Sequence, residues 1–238
     1  VAPRADDTDS LLYCPGRRCR VRDFPRTKWA LDTPNGLLAL GGDLGRERLL
    51  AAYRRGIFPW YEVGSPILWW APDPRCVLFP EALRVSRRLR RTLRGGRYAV
   101  RFNTCFDEVI RGCAGPRRGR GGTWITAEMI RAYCALHRQG YAHSVEAWRH
   151  ETLAGGLYGI ALGRVFFGES MFSRLPDASK VCLHALAARL RAGGGGLIDC
   201  QLHSPHLSRL GAVCVPRRKW EALLARELRR LPPLRFAL

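Results

Sequence analysis

Between Tyr141 and Gln201 the chain places three strand-length apolar runs, one helix-length run and a fourth strand in an order that leaves few folds open. Tyr141 to Trp148, Thr152 to Leu162 and Arg164 to Met171 alternate or stay apolar over strand lengths. Only Arg149-His150-Glu151 and Gly163 separate them. Turns that short can join only antiparallel neighbours, so the three runs predict a β-meander. The next segment, Asp177 to Arg191, carries Ala178, Val181, Cys182, Ala185 and Leu186 at helical spacing. Gly193 to Gly196 ends it, and Leu197 to Gln201 reads as one more strand. Gly155, Gly156 and Gly159 inside the second strand predict a bulge or the close approach of another backbone. A helix-like piece (Pro205 to Leu210), a short strand (Ala212 to Val215) and a helix (Arg217 to Arg229) follow. The fold class is therefore α+β, a mixed and mainly antiparallel sheet flanked by helices.

The earlier half has a different texture. Residues 1–25 are Arg- and Asp-rich and aperiodic, and are expected to form a mobile arm. Gly41-Gly42 marks a turn, and Asp43 is a suitable N-cap for a helix from Leu44 to Arg55. Between Gly56 and Arg75 stand five large aromatics and four prolines. Proline excludes helix interiors, so this stretch predicts an irregular, aromatic-walled segment. Phe58 and Trp69 suit a small core, whereas Trp60, Trp70 and Arg75 suit ligand binding as well as packing. Cys76 to Phe79 reads as a strand, and the chain is expected to cross there from an N-terminal domain (1–73) into a second domain (74–238). Beyond it, Tyr98 to Phe102 predicts a strand, Asn103 a cap for a helix through Ile110, and Gly112 to Gly122 a basic loop. Thr126 is a suitable N-cap for a helix carrying Ile130, Tyr133, Cys134 and a surface His137.

Charge narrows the partners. The net charge is +20, and Lys28, Lys180 and Lys219 are the only lysines among 40 basic residues. A solvated basic surface would account for some excess, but a compact domain this asymmetric points to a polyanion, with nucleic acid ahead of an anionic membrane. The excess is densest from Arg84 to Arg94, where Arg84, Arg87, Arg88, Arg90, Arg91 and Arg94 flank an apolar stripe of Val85, Leu89 and Leu93. One-sign charge at that density repels itself unless phosphate relieves it. No base-reading motif accompanies it, so contact with sugar and phosphate is expected. No apolar run is long enough for a membrane span, and no signal-peptide pattern is present, which predicts a cytoplasmic protein. The nine cysteines form no C-x-x-C pair and match no zinc motif, so they read as reduced thiols.

Candidate chemistry gathers at two strand ends, Gly168-Glu169-Ser170 and Asp199-Cys200-Gln201. Strand alternation puts Asp199 and Gln201 on one face, a carboxylate beside an amide. Glu169 follows two phenylalanines, so its acid sits in apolar surroundings. A structural hydrogen-bonded pair closing a strand remains the alternative for Asp199 and Gln201. No P-loop, dinucleotide fingerprint or H-E-x-x-H motif occurs, which disfavours ATP, NAD and zinc chemistry.

Several blocks together resemble the leucyl/phenylalanyl-tRNA–protein transferases. They include PNGLLALGGDL (Pro34–Leu44), YRRGIFPW (Tyr53–Trp60), LWWAPDPR (Leu68–Arg75), GTWIT (Gly122–Thr126), HSVEAW (His143–Trp148), GGLYG (Gly155–Gly159), GESMFSR (Gly168–Arg174), ASK (Ala178–Lys180) and IDCQ (Ile198–Gln201). The resemblance implies a small N-terminal domain followed by a domain like the GNAT N-acetyltransferases. It implies transfer of Leu or Phe, and Met less well, from aminoacyl-tRNA to the α-amino group of proteins beginning with Arg or Lys. Such proteins then enter the N-degron degradation route. Aminolysis of an activated ester needs no metal or other cofactor, and a monomer is expected.

By position, Asp199 and Gln201 match the family's catalytic pair, with Asp199 polarising the Gln201 amide. An amide is too weakly basic to take the proton, so positioning is the role implied for Gln201. Glu169 matches the acid that engages the acceptor's cationic terminus. Trp60, Trp124, Leu157, Phe166, Met171 and Ile198 match the region holding the apolar side chain and terminal adenosine. The Arg84–Arg97 segment matches the helix that binds the tRNA acceptor stem. A CoA-dependent N-acetyltransferase would need a glycine-rich pyrophosphate loop where this chain has Ser173 to Lys180. A non-catalytic RNA-binding protein would explain the charge but give the acid–amide cluster no task.

Overall fold

The computed structural model describes residues 24–115, 124–234 and 236. The loop tip and most of the N-terminal arm expected from the sequence lie outside the described residues. Phe24 and Pro25 do not belong to a mobile arm. Phe24 is buried edge-on against Trp69, and Arg55 donates to the carbonyls of Phe24 and Pro25.

Three short strands, β1 (Leu37–Leu40), β2 (Phe58–Pro59) and β3 (Leu68–Trp70), form a small antiparallel sheet in the order β1-β3-β2. Helix α1 (Arg46–Tyr53) lies between β1 and β2 in the chain. It starts two residues later than its predicted onset. Asp43 takes the backbone N–H of Gly45 at 2.8 Å and pairs with Arg48, so it closes the entry turn rather than occupying the cap position.

The remaining strands form one seven-stranded sheet. They are β4 (Arg75–Leu78), β5 (Ala99–Phe102), β6 (Ala142–Arg149), β7 (Thr152–Leu162), β8 (Val165–Ser173), β9 (Leu197–Gln201) and β10 (Val213–Val215). Their order is β10-β4-β9-β8-β7-β6-β5. The meander β6-β7-β8 is antiparallel as the turns require, and only β8 and β9 run parallel. Helix α5 (Ala178–Ala192) makes that parallel crossover, which a hairpin could not.

Each face of this sheet is covered. Alternate strand residues feed a cluster under α5, including Cys76, Leu78, Phe166 and Ile198. The others feed a larger cluster with α3 (Phe106–Ala114), α4 (Ala127–Arg138), the small sheet and α7 (Arg217–Arg229), which follows the short α6 (Pro205–Arg209), and this cluster includes Val77, Phe167 and Trp220. Phe236, in a tail with no readable sequence pattern, stacks on His143 and touches Phe166, sealing the α5 side.

Local chemistry sets several boundaries differently from periodicity. The basic helix α2 spans Arg87–Arg94 and is capped by Ser86, which accepts from the Leu89 N–H. Arg84 stands outside it, because its own N–H is committed to the Leu210 carbonyl. Asn103 does not cap α3; it adopts a left-handed conformation (φ 60°) and accepts the Ser144 N–H. Cys105 takes the cap position, and α3 runs through Gly112 to Ala114, so the predicted loop begins later. Thr126 caps α4 as expected, accepting from Met129. His137 is half-buried, stacked on Phe106 with ring centroids 4.4 Å apart, rather than lying on the helix surface.

Two register shifts shape the polar strand ends. In β7–β8, Tyr158 opposes Ser170 but Gly159 opposes Gly168, leaving Glu169 as an extra residue in a bulge. In β4–β9, Cys76 opposes Gln201 while Val77 opposes Asp199, leaving Cys200 extra. Gly159 is required at the first bulge: a Cβ there would lie 2.1 Å from the Phe167 carbonyl oxygen and 2.6 Å from the Phe166 ring. Replacing Gly159 by Ala is expected to lower stability by about 2 kcal/mol through overpacking, measured by urea denaturation.

Candidate active site

The parallel pairing of β8 and β9 ends at Phe167 and Asp199. Glu169 and Gln201 lie two residues beyond, at the open end where the strands have lost each other as partners. Glu169 shares the face of Phe167, which packs on Tyr53, and so points toward α1 and α4. There Tyr53 donates to its Oε1 at 2.8 Å and Tyr133 to its Oε2 at 3.1 Å. The Gln201 amide donates to the same Oε1 at 3.3 Å. The acid and the amide proposed from separate strands thus meet directly.

Asp199 is fully buried and held by Arg75, whose Nε and Nη2 reach its two oxygens at 2.8 and 2.6 Å. The guanidinium is itself enclosed by aromatic rings, with Phe58 at 4.8 Å and Trp220 at 5.1 Å. Asp199 Oδ1 also accepts the backbone N–H of Gln201 at 3.0 Å. The sequence suggested that Asp199 polarises the Gln201 side chain. Instead it holds the backbone, while the side-chain amide is free to face Glu169. Gln201 can do this because it leaves the strand conformation (φ 55°), which breaks the alternation that would have paired the two side chains.

Burial dominates the electrostatics of Glu169 and pushes its pKa up to about 7. The two tyrosine hydrogen bonds oppose the shift, the Asp199 charge reinforces it, and Arg75 opposes it. The folded protein therefore favours protonated Glu169. The stability this group contributes is present below about 4.5 and is lost as pH rises through about 7. Tyr53 and Tyr133 are held far above ordinary tyrosine values, by burial first and by the Glu169 charge next, so both stay proton donors.

Two cavities meet at this cluster. One, of about 440 Å³, has Leu157, Phe166, Met171 and Ile198 as apolar walls, with Trp124, Glu169, Asp199 and Gln201 at its lining. The other, about 210 Å³, is lined by Trp60, Leu202, Trp124, Glu169 and Gln201. All nine site residues named from the sequence outside the basic helix therefore border one joined space. Trp60 keeps an exposed face, and Trp70 supports it by donating its indole N–H to the Trp60 carbonyl at 2.7 Å. Trp70 and Arg75, left open between binding and packing, act here as supports.

On α2, Arg87, Arg90, Arg91 and Arg94 line one exposed groove. Arg88 points elsewhere and pairs with Asp177 at the start of α5 at 2.9 Å. Arg84 is exposed but belongs to the preceding segment. Among the described residues no helix is long and apolar enough to cross a membrane, and no group of three His, Cys, Asp or Glu side chains could hold a metal ion.

The family model described as leucyl/phenylalanyl-tRNA protein transferase matches residues 77–225, and the model of that family's N-terminal domain matches 42–73. The chain belongs to this family. The transferase of that name from Aromatoleum aromaticum is 61% identical over 85% of this chain and 86% of its own length. The Stutzerimonas stutzeri relative is 58% identical over 87% of this chain and 92% of its own. Among solved structures, a functionally unknown conserved protein from Staphylococcus epidermidis aligns with a TM-score of 0.40 and 9% identity, over 76% of this chain and 68% of that one. Membership in the transferase family makes this chain an enzyme.

Two residues around Glu169, Tyr53 and Tyr133, escaped sequence reasoning, and a third, Arg75, was named without its partner Asp199. Tyr53 stood out only within the Tyr53–Trp60 block and Tyr133 only as a residue of the helix after Thr126, because nothing local says where a buried phenol points. Arg75 carried one usable signal: a buried Asp199 requires a cation, and Arg75 stands in a segment too proline-rich to expose it on a helix. Replacing Arg75 by Met is expected to destabilise the fold by about 3–5 kcal/mol, since it strands a buried carboxylate. Adding Asp199→Asn should recover a large part of that loss in urea denaturation, and no recovery would exclude the ion pair as the cause.

Proposed function

We propose that this transferase moves Leu or Phe, and Met less well, from aminoacyl-tRNA to the α-amino group of proteins beginning with Arg or Lys. It does so in the cytoplasm as a monomer of two domains (1–73 and 74–238), and the product is marked for degradation. The observation that carries this reading is the contact between Glu169 and Gln201 at the junction of the two cavities.

The larger cavity suits an unbranched or γ-branched apolar side chain, walled by Leu157, Phe166, Met171 and Ile198. Such a wall separates side chains differing by a methylene by only about 1–3 kcal/mol, which fits a limited promiscuity. Trp60 and Trp124 offer aromatic faces for the terminal adenosine. The groove of Arg87, Arg90, Arg91 and Arg94 suits the phosphates of the acceptor stem. Glu169 receives the cationic end of the acceptor protein.

The reaction is an ester aminolysis: the α-amine attacks the aminoacyl carbonyl, a C–N bond forms, and the ribose oxygen leaves with a proton. The attacking amine must first lose its ammonium proton. An α-ammonium group has a pKa of about 7.7–8.0. With Glu169 near 7, moving that proton onto its carboxylate is uphill by only about 1 kcal/mol. Glu169 thus serves as both counter-ion and base, the role an amide cannot fill. Arg75 and Asp199 keep Gln201 in its off-strand conformation, and its amide keeps Glu169 aimed. Tyr53 and Tyr133 hold the other side of the carboxylate.

The direct test is transfer of labelled leucine from Leu-tRNA to a protein with N-terminal Arg. Folded protein that transfers no label would overturn the reading. Single-turnover transfer should rise through a limb near pH 7, and Glu169→Gln should remove that limb and slow the reaction by about a hundredfold or more. A Glu169→Gln profile identical to that of the unaltered enzyme would exclude the base role. Converting Arg87, Arg90 and Arg91 to Glu should weaken tRNA binding and make it less salt-dependent, read from binding isotherms at increasing salt. An unchanged salt slope would place the tRNA contact elsewhere.

A further inference from the structure

Three thiols stand side by side on neighbouring strands behind the catalytic cluster. Cys214 is on β10, the exposed edge of the large sheet; Cys76 is on β4; Cys200 is on β9. All three are free. Cys214 is open to solvent, Cys76 is fully buried, and Cys200 lines both cavities of the site. Cys76 is in hydrogen-bonding contact with each of the other two.

The strands separate charge from sulfur. Arg75 precedes Cys76 on β4 and Asp199 precedes Cys200 on β9. The ion pair lies on the face covered by Phe58 and Trp220, and Cys76 faces the α5 side with Leu78. Cys214 and Cys76 are direct antiparallel partners. Such partners have Cα atoms about 4.5 or 5.5 Å apart, inside the roughly 4.4–6.8 Å that a disulfide spans. Cys200, the extra residue of a bulge, is not registered with Cys76 in this way.

We propose that Cys214 and Cys76 are an oxidation site through which a hydroperoxide lowers the activity of the transferase. The hydroperoxide converts the exposed Cys214 thiol to a sulfenic acid and departs as an alcohol or as water. The Cys76 sulfur then attacks the Cys214 sulfur, the S–O bond breaks, and water leaves with the Cys76 proton. In total two thiols are oxidised by two electrons and one hydroperoxide is reduced. Hydrogen bonds from Cys200 and Cys214 lower the Cys76 pKa, while Cys200 is held well above its ordinary value and burial raises Cys214, so thiolate character favours Cys76 as the attacking sulfur and Cys214 meets the hydroperoxide by its exposure. The new bond takes Cys76 away from Cys200 and draws on the strand that carries Arg75. Both neighbours bear on Gln201, through Cys200 directly before it and through the Arg75–Asp199 pair.

The activity part of this inference rests on the proposed transfer reaction; the disulfide itself does not. The full chain would be treated with graded hydrogen peroxide, digested without reduction and mapped by mass spectrometry, alongside the transfer assay. A peptide pair linking Cys76 to Cys214 is expected. Transfer should fall by about tenfold to a hundredfold, the scale of an ångström's misplacement of a reacting group, and return with dithiothreitol. Cys214→Ser, an exposed change remote from the cavities, should keep full activity in the reduced state and lose the peroxide response. Absence of the Cys76–Cys214 link would overturn the proposal, as would its formation with transfer unchanged. Peroxide inactivation of Cys214→Ser at the unaltered rate would also overturn it, pointing to direct oxidation of Cys200. A chain inactive even when fully reduced would count against the transfer reaction, and the peptide map would still decide the disulfide.

Discussion

The buried pair of Arg75 and Asp199 is the interaction on which the rest of the site depends. Two charges out of water are tolerated only when each satisfies the other with good geometry. Here the carboxylate receives two guanidinium hydrogens and one backbone N–H. That third bond links the ion pair to Gln201, the last residue of β9, which has a left-handed backbone. Gln201 is then free to turn its amide toward Glu169. The aromatic enclosure of Arg75 by Phe58 and Trp220 connects the small sheet, the large sheet and α7 through a single guanidinium. Loss of any one of these supports would be felt at the Gln201 amide.

A second irregularity serves the other strand. A bulge adds one residue to β8, and that residue is Glu169. Phe167, packed on Tyr53, already sets the side of Glu169 two residues on; the extra residue reverses the residues that follow, so Met171 joins Phe166 on the α5 face. The carboxylate reaches two tyrosines on helices from different parts of the chain. Their hydrogen bonds favour the anion while burial favours the acid, and the balance lies near neutrality. A group so balanced can hold a cation and also take its proton. The fold therefore uses two local defects in an otherwise regular sheet, one for the acid and one beside the amide.

Much of this architecture was legible in the residues. The meander, the crossover helix and the order of the last elements followed from turn lengths and periodicity. Glu169, Asp199 and Gln201 stood out as polar groups ending apolar runs, and the apolar wall was carried by the family resemblance. The shorter α2 and the altered role of Asn103 were not legible, since both follow from hydrogen bonds to distant strands and turns: Arg84 to Leu210, Asn103 to Ser144. Cys200 and Cys76 read only as reduced thiols in the sequence, because adjacency of strands β4 and β9 is not a local property.

By itself the sequence determined an α+β fold, a dense arginine cluster on one helix and the residue types at two strand ends, because period, turn chemistry and charge density act over a few residues. Only the tertiary structure decided which groups meet. It paired Asp199 with Arg75 instead of with the Gln201 side chain. It placed Tyr53 and Tyr133 on Glu169 and brought three cysteines onto adjacent strands. These outcomes depend on register shifts and long-range packing, where a single extra residue reverses the face to which every later side chain belongs.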